Sequence, residues 1–408
     1  MIETSCIIAQ SGGPTAVINT SLLGVIETAK KMKMKHIYGS LNGIDGILNG
    51  CIIDLNNEDE TELSYLKNTP SAALGSVRLH LKDHNVDPTP YEKIYEVFKK
   101  LNIHYFFYIG GNDSMDTCHK VAEYFIDHDY DCKVIGIPKT IDNDLMGTDH
   151  TPGYGSSVKY VVNVLSEIYL DTHAYKKGRV TIVEIMGRNA GWLTASSILT
   201  KVSKTPVDLI YLPEVPFDID KFLNKIEAIY SQKKKVLVAV SEGIKTKDGE
   251  YFLKSHLSNK TDSFGHMQLG GVGQVLCEIV SQKLALPVRA IELNLPQRSS
   301  SHIVSLTDIE EAYNCGVFAF EQALKGETNK MVIMNRIANY QIEYALKDIS
   351  TIANEVKEVP LEYINEDGDY INDSFIDYAL PLIQGDINIP YENGIVRFAR
   401  LKKELIKL

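Results

Sequence analysis

The sequence is poor in cysteine and has no long apolar segment. Its six cysteines are scattered through 408 residues with no CxxC pair. That pattern excludes a disulfide framework and favours free thiols in a reducing compartment. No uninterrupted apolar run reaches the roughly 18 residues needed to span a bilayer. The first residues lack the basic and apolar regions of a secretory signal. We therefore expect a cytoplasmic protein without a membrane partner.

Basic residues are outnumbered in this chain. The 42 Lys and Arg residues against 53 Asp and Glu give a formal net charge of −11. Nonspecific binding to nucleic acid depends on a net attraction to phosphates, so we expect no nucleic-acid partner. A small phosphorylated ligand can still bind to an acidic protein in a locally basic pocket. The 44% of hydrophobic residues is ordinary for a soluble globular protein, and the length predicts two or three domains.

Short apolar segments alternate with longer segments of helical period. Each apolar segment runs into a polar or glycine-bearing loop, which is typical of buried strands in a parallel α/β fold. The predicted strands are Cys6–Ala9, Phe106–Ile109, Val134–Ile137, Val180–Ile185 and Val236–Val240. Ligands of open α/β sheets gather at the carboxyl ends of the strands, so the loops that follow these segments are the candidate functional loops.

Two of these loops carry paired glycines. Gly12 and Gly13 follow the first predicted strand, and Gly110–Ser114 follows the second. Glycines between a strand and a helix let backbone N–H groups approach a phosphate at the helix N-terminus. In the second loop, the Asp113 carboxylate could reach a metal or stand beside a phosphate chain. The alternatives are a tight turn without a ligand in the first loop, and simple capping of the following helix by Asn112 or Asp113 in the second.

The loop Pro138–Asp144, with the sequence PKTIDND, is the most informative segment. Lys139 brings a positive charge suited to an anionic phosphoryl group. One of the carboxylates Asp142 and Asp144 could accept a proton from an attacking hydroxyl, while the other holds magnesium. The alternative is an Asx-rich turn without a ligand. That alternative is less favoured because two other loops suited to phosphate binding precede this one.

Arginines recur near these segments, and arginine binds phosphate oxygens in a bidentate fork. Any single arginine is more often a surface or ion-pair residue. Glu242 follows another predicted strand and is either an acceptor for a sugar hydroxyl or a helix-capping acid. The arginines concerned are Arg78, Arg179, Arg188, Arg289 and Arg298.

In this order the segments resemble the 6-phosphofructokinase family. The matching segments, between about residue 6 and about residue 325, are SGGPTAVIN, LGSVR, GGNDS, PKTIDND, RVTIVEIMGRNAGW, PEV, SEG and RAIELNLPQR. The resemblance implies two Rossmann-like lobes with mainly parallel sheets. It also implies magnesium-dependent phosphoryl transfer to the 1-hydroxyl of fructose 6-phosphate. We expect a donor domain over 1–155, a sugar-phosphate domain over 156–297, and a return segment with a C-terminal extension over 298–408.

The resemblance also implies roles for the residues that handle the transferred group. Asp142 would be the base that faces the 1-hydroxyl, with Thr140 beside the entering phosphoryl group. Gly12 and Gly13 would lie against the donor phosphates, and Arg78 would bridge the donor and acceptor phosphates.

Further roles concern the sugar phosphate. Glu242 would accept a sugar hydroxyl, and Arg298 would hold the 6-phosphate. Arg179 and Arg289 match positions that reach into the active site of a neighbouring subunit, so the resemblance implies a homodimer or homotetramer with shared active sites. The sugar site would be lined by Met186, Gly187 and Arg188.

The phosphoryl donor depends on Asp113 and Lys139. Members of the family that use ATP typically carry glycine at the position of Asp113, where a carboxylate fills the space of the nucleotide and repels an anion. With Lys139 neutralising pyrophosphate oxygens, the pair resembles the pyrophosphate-dependent branch. Magnesium would be held by Asn112, Asp113 and Asp144, although the family usually has aspartate in place of Asn112.

Three alternatives stay open at this point. The chain could be an ATP-dependent phosphofructokinase. It could act on another sugar phosphate such as sedoheptulose 7-phosphate. It could also be a noncatalytic sugar-phosphate sensor or regulatory subunit, which only Asn112 favours.

Overall fold

The computed structural model describes residues 2–255, 271–337, 340–353 and 355–408. The elements of the first part of the chain are β1 Ile2–Gln10, α1 Ile18–Lys31, β2 Met34–Ser40, α2 Ile44–Leu48, β3 Ile52–Asp54, α3 Glu60–Ser64, α4 Thr89–Lys100, β4 Ile103–Gly110, α5 Asn112–Asp127 and β5 Lys133–Pro138. Those that follow are α6 Tyr154–Ala174, β6 Arg179–Ile185, α7 Trp192–Ala195, β7 Leu209–Tyr211, α8 Ile219–Lys233, β8 Lys235–Ser241, α9 Val272–Leu284 and β9 Val288–Glu292. The last are α10 Pro296–Ser299, α11 Leu306–Leu324, β10 Lys330–Ile337, β11 Gln341–Asp348, α12 Ser374–Ala379, β12 Tyr391–Glu392 and β13 Ile395–Val396.

The strands form two main sheets. The first has the order β11-β10-β5-β4-β1-β2-β3 and the second β7-β8-β6-β9. Within these two sheets the pairings are parallel except β2 with β3 and β10 with β11, which lie at the two edges of the first sheet. The predicted α/β fold with mainly parallel sheets is confirmed, and each predicted strand is present. The strands are continuous apolar runs because helices cover both faces of such sheets.

A close helix crossing ties the later part of the chain to the first sheet. A Cβ atom on Gly24 of α1 would lie 2.2 Å from the Tyr313 carbonyl oxygen of α11, and one on Gly316 would lie 2.2 Å from the Ser21 carbonyl oxygen. Only glycine permits such an approach. Since β10 also pairs with β5, residues after 298 return to the first sheet. The exact domain boundaries stay a prediction.

The register of the strands gathers the functional loops. Gln10 pairs with Ile109, and Gly110 with Pro138, so β1, β4 and β5 end side by side. In the second sheet, Ile185 at the end of β6 pairs with Ser241 at the end of β8. Each sheet therefore presents its polar loops together at one edge.

No helix in the described ranges is long and apolar enough to cross a membrane.

Candidate active site

The loop after β1 is covered by two cationic side chains. Gly12 has a φ of 76°. A Cβ atom on Gly12 would lie 3.3 Å from Lys139 Nζ, and one on Gly13 would lie 3.3 Å from a terminal nitrogen of Arg298. The loop is fixed by Ser76, whose hydroxyl donates to the Gly12 carbonyl oxygen at 2.6 Å. Larger side chains at the glycines would displace the ammonium and guanidinium groups.

Lys139 is only 2% exposed, and its ammonium donates to the Gly13 carbonyl oxygen at 2.7 Å. The pKa of Lys139 is lowered to about 8, chiefly by burial and also by the guanidinium groups of Arg298 and Arg78, while the Asp142 carboxylate acts in the opposite direction. A buried ammonium among other cations is unfavourable without an anion. The site is therefore complementary to a compact, highly charged anion.

The loop after β5 turns two carboxylates toward these cations. Burial raises the pKa of Asp142, while Lys139, Arg188 and Arg298 act in the opposite direction. Burial, together with the nearby Asp142 carboxylate, raises the pKa of Asp144 to about 7. A raised pKa favours proton acceptance, which is what Asp142 would need as a general base.

The local geometry of this loop is defined by Thr140 and Asn143. The Asp142 N–H donates to Thr140 Oγ1 at 3.0 Å, which ties the two predicted catalytic side chains to one turn. Asn143 has a φ of 56° and a completely buried side chain, whose Nδ2 donates to the Tyr378 hydroxyl at 2.8 Å. The Asx-rich turn is thus present, but it turns two carboxylates into a basic site.

The loop after β6 is shaped by the loops beside it. The Met186 N–H donates to Gln297 Oε1 at 3.0 Å, and the Gly187 N–H donates to Glu242 Oε1 at 3.4 Å. Gly187 has a φ of 146°, and a Cβ atom there would lie 2.8 Å from the Ala190 carbonyl oxygen. The alternative interpretation of Glu242 as a helix cap is wrong, because its carboxylate accepts from this loop.

The loops of the two sheets meet in one cluster of charges. Burial and the Asp142 carboxylate raise the pKa of Glu242 to about 7. Burial lowers the pKa of Arg298, whose guanidinium is influenced by Arg78 and by both of these carboxylates. Electrostatic effects of this kind require proximity. The residues brought together are Arg78, Lys139, Asp142, Asp144, Arg188, Glu242 and Arg298.

Asn112 and Asp113 begin α5 beside this cluster. The helix is capped by Gly111 without a side-chain hydrogen bond, so the alternative in which Asn112 or Asp113 acts as the cap is wrong. Asn112 Oδ1 is buried and accepts no hydrogen bond from the described residues, whereas Asp113 is exposed. A buried amide oxygen of this kind calls for a further ligand.

The donor set near α5 fits magnesium. Within the ranges that the structure describes, no three or more His, Cys, Asp or Glu side chains form a metal cluster. Magnesium in phosphoryl-transfer sites is held by one or two protein oxygens together with substrate phosphates and water. The unpartnered oxygen of Asn112 and the carboxylates of Asp113 and Asp144 match that requirement.

Arg179 and Arg289 lie elsewhere. Arg179 begins β6, and Arg289 pairs with Thr181 near the start of that strand. Both line a cleft of about 250 Å³ that also contains the acidic Glu167 and Asp171. Met186 follows the last residue of the same strand, roughly 23 Å away at the usual rise per residue. The structure therefore does not bring these two arginines to the cluster within one chain.

Sequence reasoning assigned no role to two residues at this site. Gln297 stands next to Arg298 in the segment that carries the resemblance, and its position in that motif was the available signal. Lys357 contacts the loop of Asp144 from the C-terminal extension, where no motif marks it: the Lys357 N–H donates to the Asp144 carbonyl oxygen at 2.8 Å.

The model of the family described as "Phosphofructokinase" matches residues 5–293. The chain belongs to the phosphofructokinase family. The resemblance expected from the motifs is confirmed.

Named relatives cover all or nearly all of the chain. The pyrophosphate–fructose 6-phosphate 1-phosphotransferase of Halomonas elongata is 37% identical, covering 100% of this chain and 98% of the relative. The sulfofructose kinase of Alkalicoccus urumqiensis is 32% identical over 94% of this chain and 95% of its own length. The crystal structure of the pyrophosphate-dependent phosphofructokinase from Nitrosospira multiformis superposes with a TM-score of 0.90 at 37% identity, covering 100% of this chain and 98% of that one.

Proposed function

We propose that this phosphofructokinase-family chain transfers a phosphoryl group reversibly from pyrophosphate to the 1-hydroxyl of fructose 6-phosphate, yielding fructose 1,6-bisphosphate and phosphate in glycolysis. The observation that carries the proposal is the position of Lys139, whose buried ammonium contacts the Gly13 carbonyl oxygen and lies beside Arg298 and Asp142. The names of full-length relatives at 37% identity support pyrophosphate as the donor.

The cationic side chains of the cluster bind the phosphates. Phosphoryl transfer passes through a loose transition state, so positioning and charge neutralisation supply most of the catalysis. Lys139 and Arg78 neutralise pyrophosphate over Gly12 and Gly13. Arg298 holds the 6-phosphate of the acceptor.

The carboxylates and loops handle the sugar. Asp142 accepts the proton of the 1-hydroxyl, and burial raises its pKa in the direction that a base requires. Thr140 lies beside the entering phosphoryl group. Glu242 accepts a sugar hydroxyl next to the loop of Met186, Gly187 and Arg188.

The Asp113 carboxylate disfavours binding of a nucleotide donor. It is exposed at the start of α5, one residue beyond the buried oxygen of Asn112. A carboxylate here occupies the space beside a bound diphosphate and repels a further phosphate. Pyrophosphate has no group that would extend into this space.

Magnesium is the proposed cofactor, held by Asn112, Asp113 and Asp144. When bound, it neutralises pyrophosphate oxygens and stabilises the charge of the transferring group. Asn112 contributes a neutral oxygen, so more of the metal's charge remains to be balanced by the substrate.

A second copy of the chain would complete the site. Arg179 and Arg289 lie near the amino ends of their strands, away from Asp142, so we propose that they serve a neighbouring subunit in a homodimer or homotetramer. Arginine side chains there can bind the phosphate of a sugar held by the partner. A cytoplasmic location remains a prediction.

A donor comparison tests the proposal. The purified chain is incubated with magnesium and fructose 6-phosphate, with pyrophosphate or ATP as donor, and fructose 1,6-bisphosphate is measured. We expect product with pyrophosphate and little with ATP; faster turnover with ATP contradicts the proposed donor. Sedoheptulose 7-phosphate and sulfofructose in place of fructose 6-phosphate test the acceptor, and either being preferred contradicts it.

A further inference from the structure

A short segment of the C-terminal extension runs between the loops of the two sheets. We call residues 355–359 the tie segment. At its centre, the Lys357 N–H donates to the Asp144 carbonyl oxygen at 2.8 Å. The Lys357 carbonyl oxygen accepts from Trp192 Nε1 at 2.7 Å. We call the loop after β6, residues 186–191, the sugar-binding loop, after its proposed role. Lys357 therefore connects the loop of the proposed base Asp142 to Trp192, which directly follows the sugar-binding loop.

The ammonium of Lys357 is fully engaged with the first of these loops. It donates to the carbonyl oxygens of Asp149 at 2.8 Å and Thr148 at 3.1 Å, and to Asn143 Oδ1 at 3.4 Å. An ammonium has three donor hydrogens, so each of them has an acceptor. All three acceptors lie just after Asp142, and Asn143 adopts the left-handed conformation that turns this loop.

The other side of the tie segment is fixed to the second sheet. The Lys357 ammonium lies 4.9 Å from the centroid of the Trp192 ring, which is cation–π distance. Two residues further on, the Val359 N–H donates to Glu214 Oε1 at 3.0 Å, and the same oxygen accepts from the Gly191 N–H at 2.7 Å. Glu214 thus bonds the tie segment directly to the end of the sugar-binding loop.

We propose that Lys357 is a positioning residue, which sets the loop of Asp142 at its working distance from the sugar-binding loop. This inference rests on the proposed function, since that function places the base on one loop and the sugar on the other. The contacts of Lys357 given above are all with protein atoms, so it would act through the loop of Asp142. A displacement of about 1 Å between reacting groups can cost about 10²-fold in rate.

The main test replaces Lys357 with methionine, which keeps an unbranched side chain one atom shorter and removes the charge and the donors. Lys159→Met is the matched control, because the Lys159 ammonium also donates to two backbone carbonyl oxygens, those of Val304 at 3.0 Å and Gly385 at 2.6 Å. We expect Lys357→Met to lower kcat by about 10²-fold with both KM values within about twofold of wild type. Lys159→Met should keep the wild-type kcat.

A purely structural role predicts a different result. In that case Lys357→Met lowers the melting temperature but leaves kcat per folded molecule at the value of the control, and the proposal is overturned. If Lys357→Met does not fold, Trp192→Phe removes the hydrogen bond from Nε1 together with part of the buried ring, and keeps an aromatic side chain. We expect a loss of roughly threefold to tenfold in kcat from that variant, equivalent to one hydrogen bond, and no loss overturns the proposal.

Fluorescence separates this inference from the proposed function. Trp192 is the only tryptophan in the sequence, so its emission reports on the tie segment. We expect fructose 6-phosphate to change the emission in wild type and in Lys159→Met, and the change to be lost in Lys357→Met. An equal fluorescence change in Lys357→Met refutes the positioning role of Lys357. If the wild-type protein uses ATP instead of pyrophosphate, the proposal of pyrophosphate as donor is wrong. The positioning role of Lys357 can then still be tested by kcat with ATP and by the fluorescence change.

Discussion

Two buried clusters of charge lie on either side of the loop 142–149, and they differ in how their charges are balanced. At the active-site end, burial moves Asp144 and Lys139 toward their neutral forms, with pKa values of about 7 and 8. At the other end, His150 Nδ1 lies 2.8 Å from Asp149 Oδ2, and its Nε2 lies 2.7 Å from Glu311 Oε2.

The second cluster keeps its charges. Burial disfavours protonation of His150, but the carboxylates of Glu311 and Asp149 outweigh it and raise the pKa to about 9. The pKa of Asp149 is lowered despite burial, because His150 and Arg336 lie against its carboxylate. We call the cluster around His150 balanced, because its opposite charges are paired, and we expect it to stabilise the fold. The charges of the active-site cluster are not fully paired, so that cluster is suited to binding an anion and accepting a proton.

The largest expected effect is on catalysis. Asp142→Asn keeps the shape of the side chain and removes the base, so kcat should fall by about 10²–10⁴-fold with KM little changed. Because burial raises the pKa of Asp142, the charge is unfavourable in the folded state, and the melting temperature should not fall. Steady-state kinetics and thermal unfolding measure both.

Asp308→Asn is the matched control for Asp142→Asn. The Asp308 carboxylate is also buried but accepts from the backbone N–H groups of Gly153 at 2.8 Å and Ser156 at 2.9 Å. Burial raises the pKa of Asp308 as well, to about 6, but an asparagine amide would place an NH2 group against one of these two N–H groups, so the melting temperature should fall while kcat of the folded protein stays unchanged. Wild-type turnover in Asp142→Asn would remove that residue from the mechanism.

The balanced cluster should respond in the opposite way. Glu311→Gln leaves the buried imidazolium of His150 with one carboxylate instead of two, so we expect a loss of about 3–5 kcal/mol in the free energy of unfolding. Activity of the molecules that remain folded should be unchanged. Urea titration measures the loss; a change below about 1 kcal/mol would show that this pair does not hold the fold.

The cluster around His150 should also make the free energy of unfolding depend on pH. The pKa of His150 is raised in the folded state, so its contribution to stability is complete below about 6.5 and is lost as the pH rises through about 9. The difference in unfolding free energy between wild type and Glu311→Gln should therefore shrink between these values. Parallel curves for the two proteins across this range would refute the assignment.

A change of donor is the smallest of the four effects. In Asp113→Gly combined with Lys139→Gly, a carboxylate and an ammonium are removed from the donor site. We expect ATP to be accepted and kcat/KM for pyrophosphate to fall by roughly 10–100-fold, since charged hydrogen bonds contribute about 1.5–3 kcal/mol. A folded double variant that gains no use of ATP would show that these residues do not select the donor.

Local signals made most of the site predictable. Glycine pairs and the sequence PKTIDND mark strand ends, and strands of a parallel sheet end together, so the meeting of Gly13, Lys139 and Asp142 follows from the sequence. The capping alternative for Asn112 failed because Gly111 already provides the turn. The positions of Arg179 and Arg289 required the resemblance, since a sequence pattern does not show which end of a sheet faces a partner.

Contacts between distant segments could not be predicted. Lys357 is separated from Asn143 by 214 residues, and Glu311 from His150 by 161. No periodicity links residues so far apart, and a lone lysine or glutamate is usually exposed. These partners emerge only from the packing of the return segment and the C-terminal extension, residues 298–408, against the loop that follows β5.

Phosphorus NMR of the purified chain with magnesium, fructose 6-phosphate and pyrophosphate tests the central claim most directly. The account predicts that the pyrophosphate signal declines while one equivalent each of inorganic phosphate and a new sugar phosphate ester appears. Two results would contradict it. One is that pyrophosphate persists while a parallel sample with ATP in its place consumes the ATP. The other is that pyrophosphate yields two equivalents of phosphate without a new ester.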